Sequence, residues 1–146
     1  MKNRMLRILP VIITFVWTGM VLGVSFLEAP LKFQAPDITL RLGLGIGRLV
    51  FGVLNKIEIV FAVTLAVSLV VGKVSWRANF PYPLVFMVLL VQTAWLLPVM
   101  DARAELILAG QEVPSTYHHL LYIILEVSKV LLLLVGGVTW LRRTEP

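Results

Sequence analysis

The chain has 146 residues, of which 59% are hydrophobic and only 14% are charged. Soluble domains carry about 25% charged residues, so the composition excludes an ordinary soluble domain and indicates an integral membrane protein. The net charge of +5 comes from basic residues at the ends of apolar runs, where they set topology rather than bind nucleic acid. The chain has no cysteine, which excludes disulfides, thiolate metal sites and thiol catalysis.

Four apolar runs predict an all-α, single-domain bundle of four membrane-spanning helices, because about 20 apolar residues in a helix cross a bilayer. The predicted spans cover residues 8–27, 44–71, 83–100 and 116–141 of one domain, 1–146. The first run continues to Leu27 without a small-x-small cleavage site, so we interpret it as a retained span rather than a signal peptide.

Glycine and proline residues mark the first span and its end. Gly19 and Gly23 form a small-xxx-small pair, which suits either close helix approach or ordinary packing. The pairs Ala29–Pro30 and Ala35–Pro36 predict that the helix breaks in the first connection, since proline disfavours a helical residue before it.

Basic residues are unevenly divided between the two ends of the predicted bundle. One end carries Lys2, Arg4, Arg7, Lys73, Arg77, Arg142 and Arg143. The other end carries Lys32, Arg41, Arg48 and Arg103. Because cytoplasmic connections are enriched in Lys and Arg, both termini are predicted to be cytoplasmic in a bacterial inner membrane.

The second span is apolar enough to cross a bilayer, yet polar residues occupy its first half. They are Arg48, Asn55, Lys56 and Glu58. An ionised side chain at the bilayer centre costs from about 2.5 to more than 10 kcal/mol, depending on the measure. Such residues therefore face a partner, a ligand or a water-filled cavity, and the span predicts a polar site inside the membrane.

The fourth span repeats a polar face found in the second. In span 4 the face comprises His119, Tyr122, Glu126 and Lys129, at spacings of three, four and three. In span 2 the same spacing gives Arg48, Phe51, Asn55 and Glu58. This spacing places each set on one side of a helix, and both helices run in the same direction through the bundle.

If these two polar faces oppose each other, Glu58, Glu126 and Lys129 are predicted to form one charge-compensated cluster. Glu58 would meet Lys129 across the bundle, and Glu126 would pair with Lys129 three residues along its own helix. Asn55 is predicted to be shielded from lipid on the helix facing Glu126, whereas Lys56 lies off this face.

Nearer the outer end, Arg48 and His119 are predicted to guard the entrance to this site. The connections add the charged residues Glu28, Lys32, Asp101 and Arg103. Asp101 and Arg103 follow span 3 as Glu28 and Lys32 follow span 1, which hints at a duplicated two-helix hairpin.

Histidine chemistry offers an alternative function. His118 and His119 are adjacent and point about 100° apart on a helix, so they do not readily share one metal ion. The chain has no further histidine, so a haem held by histidines from two different spans of one chain is excluded. No cofactor is predicted, and a metal or haem on His118 or His119 is the alternative to a histidine at the membrane interface.

Four segments carry a resemblance to known proteins: SFLEAPLKF, GRLVFGVLNKIE, MDARAE and HHLLYIILEVSK. Together they resemble small bacterial four-span membrane proteins of unknown function, over nearly the whole chain. The architecture is also loosely similar to the copper-resistance D and membrane protoporphyrinogen-oxidase group, which relies on histidine and lysine within its spans. Span 1 has no histidine where such a ligand is expected, so the resemblance implies a fold and no catalytic residue.

Three functions are compatible with these patterns. The leading prediction is that the site binds or translocates a small polar solute, an ion or a proton, with lipid and that ligand as partners. A membrane redox or metal enzyme is the second, although no GxSxG, HExxH or P-loop motif is present and a non-enzymatic role is favoured. The third is a structural or assembly subunit whose buried ion pairs fix helix register. A homo-oligomer is compatible with all three.

Overall fold

A computed structural model describes residues 2–72 and 79–144, and every regular element in these ranges is helical. We name four helical rods in chain order. They are α1 (residues 2–34), α2 (Leu40–Val71), α3 (Pro81–Leu108) and α4 (His118–Thr144). All four are long and apolar enough to cross a membrane, which confirms the prediction of an all-α chain with four candidate spans.

Two of the rods are longer than predicted and contain wide turns. In α1, the α-helix Lys2–Val21 continues through a π-helical segment, Leu22–Glu28, and two short turns to Gln34. In α3, a π-helical segment, Gln92–Leu96, joins two α-helical parts. The predicted ends of these spans at residues 27 and 100 therefore fall inside continuous helix.

The prediction that Ala29–Pro30 breaks the first helix is wrong. The N–H of Ala29 bonds to the carbonyl of Val24, five residues back, and this wider turn accommodates the following proline. The helix instead ends at Ala35, whose extended backbone precedes Pro36. In α3 the N–H of Leu97 likewise bonds five residues back, just before Pro98, which extends the parallel between the two hairpins.

The four rods alternate in direction, so residues 2 and 144 lie at one end of the bundle. We call this the terminal end, and we call the opposite end, with connections 35–39 and 109–117, the loop end. The core of the terminal half is made by Trp17, Leu65, Tyr82 and Leu133, each with no exposed surface. Of the basic residues that predict orientation, Lys73 and Arg77 lie outside the described residues.

The outer surface of the bundle is apolar. Leu49, Val60 and Leu90 are each more than 60% exposed, and exposed large hydrophobic residues occur along all four rods. In water such a surface promotes association, whereas in a bilayer it faces acyl chains. The polar groups described below are correspondingly turned inward.

Close helix approach occurs at Gly136 and Gly137 rather than at the predicted small-xxx-small pair. A Cβ on Gly136 would lie 2.9 Å from the Tyr82 ring, and one on Gly137 would lie 3.0 Å from the Phe15 ring. At Gly19 and Gly23 an added Cβ would meet nothing within 4 Å, so no helix approaches closely at either glycine.

Replacing Gly136 by Ala is expected to lower the free energy of unfolding by about 1 kcal/mol, because Tyr82 is fully buried and has little room to move. Gly19→Ala is the matched control and should not destabilise, since its methyl group meets open space. Titration with SDS in mixed micelles measures both values. Equal stability of the two variants would contradict the close approach.

Candidate functional site

The three predicted charged residues come together at the centre of the bundle. Lys129 has no exposed surface, and Glu58 and Glu126 are each 1% exposed. The Nζ atom of Lys129 contacts Oε1 of Glu58 and lies 2.8 Å from Oε1 of Glu126. The predicted meeting of Glu58 with Lys129 across α2 and α4 is therefore confirmed, as is the pairing within α4.

Neutral donors and acceptors complete the contacts of this charge cluster. Trp17 donates its indole N–H to Oε1 of Glu58 at 2.8 Å. Gln92 accepts a hydrogen bond from Lys129 at 2.9 Å and donates one to Glu126 at 2.8 Å. Every charged member of the cluster thus has hydrogen-bond partners, which a buried charge needs in order to be tolerated.

The second oxygen of Glu126 has a weaker contact. Ser25 donates its hydroxyl to Oε2 of Glu126 at 3.2 Å. A carboxylate oxygen can accept two hydrogen bonds, so Oε2 retains capacity for a further donor. Tyr122, one turn before Glu126, is buried and interacts electrostatically with the same carboxylate.

The two π-helical segments position the neutral partners of Glu126. Ser25 lies within the segment Leu22–Glu28 of α1, and Gln92 opens the segment Gln92–Leu96 of α3. A π turn rotates the following side chains relative to a regular α-helix, and such turns are frequent at functional sites. Both irregular segments therefore meet at the same carboxylate.

The ionised charges of the cluster do not cancel. Glu58 and Glu126 share the single ammonium group of Lys129, which leaves one negative charge when all three residues are ionised. A net charge in a medium of low dielectric is costly, and a proton or a bound cation removes that cost. With all three residues ionised, the cluster is therefore one positive charge short of neutrality.

A cavity of about 1040 Å³ leads to the cluster from the loop-end half of the bundle. Residues of all four rods line it, and Glu126 is part of its wall. Glu58 and Lys129 lie about one helical turn farther from the loop end than Asn55 and Glu126, because each residue adds about 1.5 Å along the axis. Of the three charged cluster residues, Glu126 is thus the one that the cavity reaches.

Asn55 and Tyr122 occupy the middle of the cavity. Asn55 is buried as predicted, and it donates a hydrogen bond to the hydroxyl of Thr93 at 2.8 Å. Tyr122 packs edge-on against Phe51, with ring centroids 5.6 Å apart. Lys56 is exposed and also lines the cavity, so its predicted position off the polar face does not keep it away from the site.

Ion pairs surround the mouth of the cavity. Arg48 binds both carboxylate oxygens of Asp101, at 2.5 and 3.0 Å, and also Glu105 at 2.6 Å. Lys32 lies 3.5 Å from Glu28, which is four residues earlier. The predicted entrance residues of α1, α2 and α3 are thus paired close to the cavity.

The two remaining entrance residues differ in their surroundings. His119 is exposed and lines the cavity mouth. Arg103 donates to the backbone carbonyl of Pro114, so it braces the connection between α3 and α4 rather than facing the cavity.

Nothing in the described ranges supports a metal ligand set at the histidines. His118 stacks on Tyr117, with ring centroids 5.0 Å apart, and its Nδ1 atom lies 3.0 Å from the Thr116 hydroxyl. Within residues 2–72 and 79–144, no three His, Asp or Glu side chains are grouped to hold a metal ion. His118 is the first residue of α4, which is compatible with the predicted alternative of a histidine at the membrane interface.

Sequence reasoning did not include Trp17, Ser25 and Gln92 in the site. All three contact Glu58 or Glu126, and Glu105 was also missing from the entrance group. The position of Gln92 is itself an indication, because a lone glutamine within an apolar span needs a polar partner. Trp17 and Ser25 gave no comparable signal, since both residue types are common in membrane helices.

The fold and the site together define a class: a four-helix protein suited to a membrane, with a buried charge cluster at the end of an open cavity. Comparison of the chain with protein-family models, curated proteins and solved structures gave no match.

Proposed function

We propose that this protein is a membrane-embedded cation-binding protein in which Glu126 takes up one proton or small monovalent cation from the loop end through the cavity. The observation that carries the proposal is the charge balance of the cluster, where two carboxylates share one ammonium group. The bound cation makes the cluster neutral. Binding is the step that this geometry supports, and translocation would require a second route to the terminal end.

The contacts of Glu126 support its role as the exchanging group. It lines the cavity, where its carboxylate interacts with Tyr122, and its Oε2 atom accepts a hydrogen bond of 3.2 Å from Ser25. Glu58 instead receives both Lys129 and the Trp17 indole on one oxygen, away from the cavity. Uptake at Glu126 thus needs little rearrangement of its neighbours.

Labelling with a lipophilic carbodiimide tests the proposal, because this reagent adds to a carboxyl group that carries a proton. In lipid vesicles, mass spectrometry should find the label on Glu126 and not on Glu112, an exposed residue of the loop end. Glu126→Gln should remove the label, whereas Glu112→Gln should leave it unchanged. Labelling at Glu58 in preference to Glu126 would contradict the proposed route.

The proposed location is a bacterial inner membrane with both termini in the cytoplasm, and the chain is grouped with the small four-span bacterial proteins that it resembles. The Lys and Arg bias in the sequence supports this orientation. In it, the cavity opens away from the cytoplasm, so the cation is taken from the outer side.

Reporter fusions test this orientation. A reporter that works only outside the cytoplasm should be active when inserted at Glu112 and inactive when fused to the C-terminus. A reporter that works only in the cytoplasm should give the opposite result. The connection 109–117 and residue 144 lie at opposite ends of α4, which makes the two positions a matched pair. Activity on the same side for both fusions would be incompatible with four spans.

A further inference from the structure

The cavity is much larger than a proton or a small inorganic ion requires. Its volume of about 1040 Å³ is at the upper end of the range found for organic ligands, which is about 300–1,000 Å³. A water molecule occupies roughly 30 Å³ of liquid. The size of the cavity therefore calls for an occupant with an organic body.

The walls of the cavity are mainly apolar and aromatic. They include Phe26, Phe33, Leu44, Phe51, Leu97 and Ile123. Such walls favour an apolar body, and aromatic faces also attract a cation when one comes within about 6 Å of a ring. The acidic groups of the wall are Asp101 at the mouth and Glu126 at the inner end, so a cationic head at Glu126 would leave an apolar body to lie toward the mouth.

The charges of the cavity favour a cationic head. The ion pairs of the cavity wall form a network that reaches Glu58 through Lys129, and this network contains the five carboxylates of Glu28, Glu58, Asp101, Glu105 and Glu126. The wall and this network together contain the four basic groups of Lys32, Arg48, Lys56 and Lys129. With all of these ionised the sum is one negative charge, which a single monovalent cation neutralises.

The basic groups at the cavity do not reverse this preference. Arg48 is matched by two carboxylates, and Lys32 is matched by Glu28 and lies 5.5 Å from the Phe51 ring centroid. Lys56 is exposed, and its flexible stem allows the ammonium group to move toward the membrane surface. Glu126, by contrast, is fixed at the inner wall by Ser25 and Lys129.

We infer that the cavity binds an amphipathic organic monocation with an N–H donor. Its ammonium group donates to Oε2 of Glu126, and its apolar body lies along the aromatic walls toward the loop end. This inference rests on the proposed function of Glu126 as the cation site, and it names the class of ligand. A proton on Glu126 and the organic cation are then alternatives, because each supplies the one missing positive charge.

Gly52 offers a way to close the cavity without unfolding the protein. It lines the cavity, and an added Cβ would meet nothing within 4 Å. Gly52→Trp should therefore fill the cavity rather than clash with its walls. Gly45 lies on the same helix, also has open space at the Cβ position, and is not among the lining residues, so Gly45→Trp is the matched control.

The test uses three fluorescent probes of one shape: a dansyl-tagged hexylammonium, the matching alcohol and the matching carboxylate. Binding to the full chain in detergent is measured by fluorescence anisotropy. The ammonium should bind at least about tenfold more tightly than the alcohol, since hydrogen bonds to charged groups are the stronger ones. Glu126→Gln should abolish this difference, and Gly52→Trp but not Gly45→Trp should weaken ammonium binding about tenfold.

Equal affinity for the ammonium and the alcohol, or tighter binding of the carboxylate, would overturn the inference. Protection from carbodiimide separates this failure from failure of the proposed function. If Glu126 is labelled but the ammonium gives no more protection than the alcohol, the cation site stands and the organic ligand class is wrong. If Glu126 is not labelled at all in the absence of probe, the proposed function itself has failed.

Discussion

Replacing Lys129 by Met is expected to lower the free energy of unfolding by about 3–5 kcal/mol, the cost of breaking a buried ion pair by removing one partner. The substitution keeps a long, unbranched side chain but leaves Glu58 and Glu126, each 1% exposed, without their shared cation. Lys56→Met is the matched control. Because Lys56 is exposed, this substitution should change the free energy of unfolding by less than about 0.5 kcal/mol. SDS titration in mixed micelles measures both.

Combined variants test whether these charges are coupled. In Lys129→Met with Glu126→Gln, the carboxylate of Glu58 still lacks a cation, so stability should recover only in part. Adding Glu58→Gln removes the last unpaired charge and should recover most of the remaining loss. Simple additivity of the single losses would contradict one coupled cluster, because contacting residues deviate from additivity by about 0.5–3 kcal/mol.

Replacing Gln92 by Met should cost about 2–4 kcal/mol. Gln92 is 1% exposed and contributes one acceptor to Lys129 and one donor to Glu126, so the change leaves two buried charged groups each short of a partner. An unsatisfied buried polar group costs about 1–3 kcal/mol, and more when it is charged. Met has nearly the same shape, which keeps the loss of packing small.

The control for Gln92 is Gln34→Met, at an exposed position near the end of α1. This variant should unfold at the same SDS concentration as the wild type. Equal loss of stability in the two variants would mean that the bonds of Gln92 within the cluster do not stabilise the fold.

Local helical geometry explains why part of the site could be predicted from the sequence. Spacings of three and four place residues on one helix face whatever the tertiary structure. Charged residues within apolar spans are expected to face inward, which favours opposition of the polar faces of α2 and α4 across the bundle. The contacts of Lys129 with Glu58 and Glu126 follow from these two facts.

The other contacts depend on packing between helices that spacing does not encode. Trp17 reaches Glu58 because α1 packs against α2, and no pattern within α1 indicates that pairing. The π-helical segments change the direction in which the side chains of Ser25 and Gln92 point. The regular periodicity of an α-helix does not predict such a change. The bond from Asn55 to Thr93 likewise depends on α3 lying beside α2 at that depth.

The ion pairs of the cluster are also compatible with a purely structural role, as buried pairs can fix helix register. A structural cluster only has to be satisfied, whereas a binding site has to exchange its cation with the cavity. The position of Glu126 in the cavity wall favours exchange. The state of its carboxyl group therefore decides between the two roles.

Infrared difference spectroscopy of the protein in lipid, recorded between acidic and alkaline buffer, tests this most directly. We expect one carboxylic-acid C=O band that shifts in D₂O, disappears in Glu126→Gln and persists in Glu112→Gln. In Gly52→Trp, where the cavity is closed, this band should exchange more slowly with D₂O. A spectrum in which Glu126→Gln leaves every carboxylic-acid band in place would contradict cation uptake at Glu126.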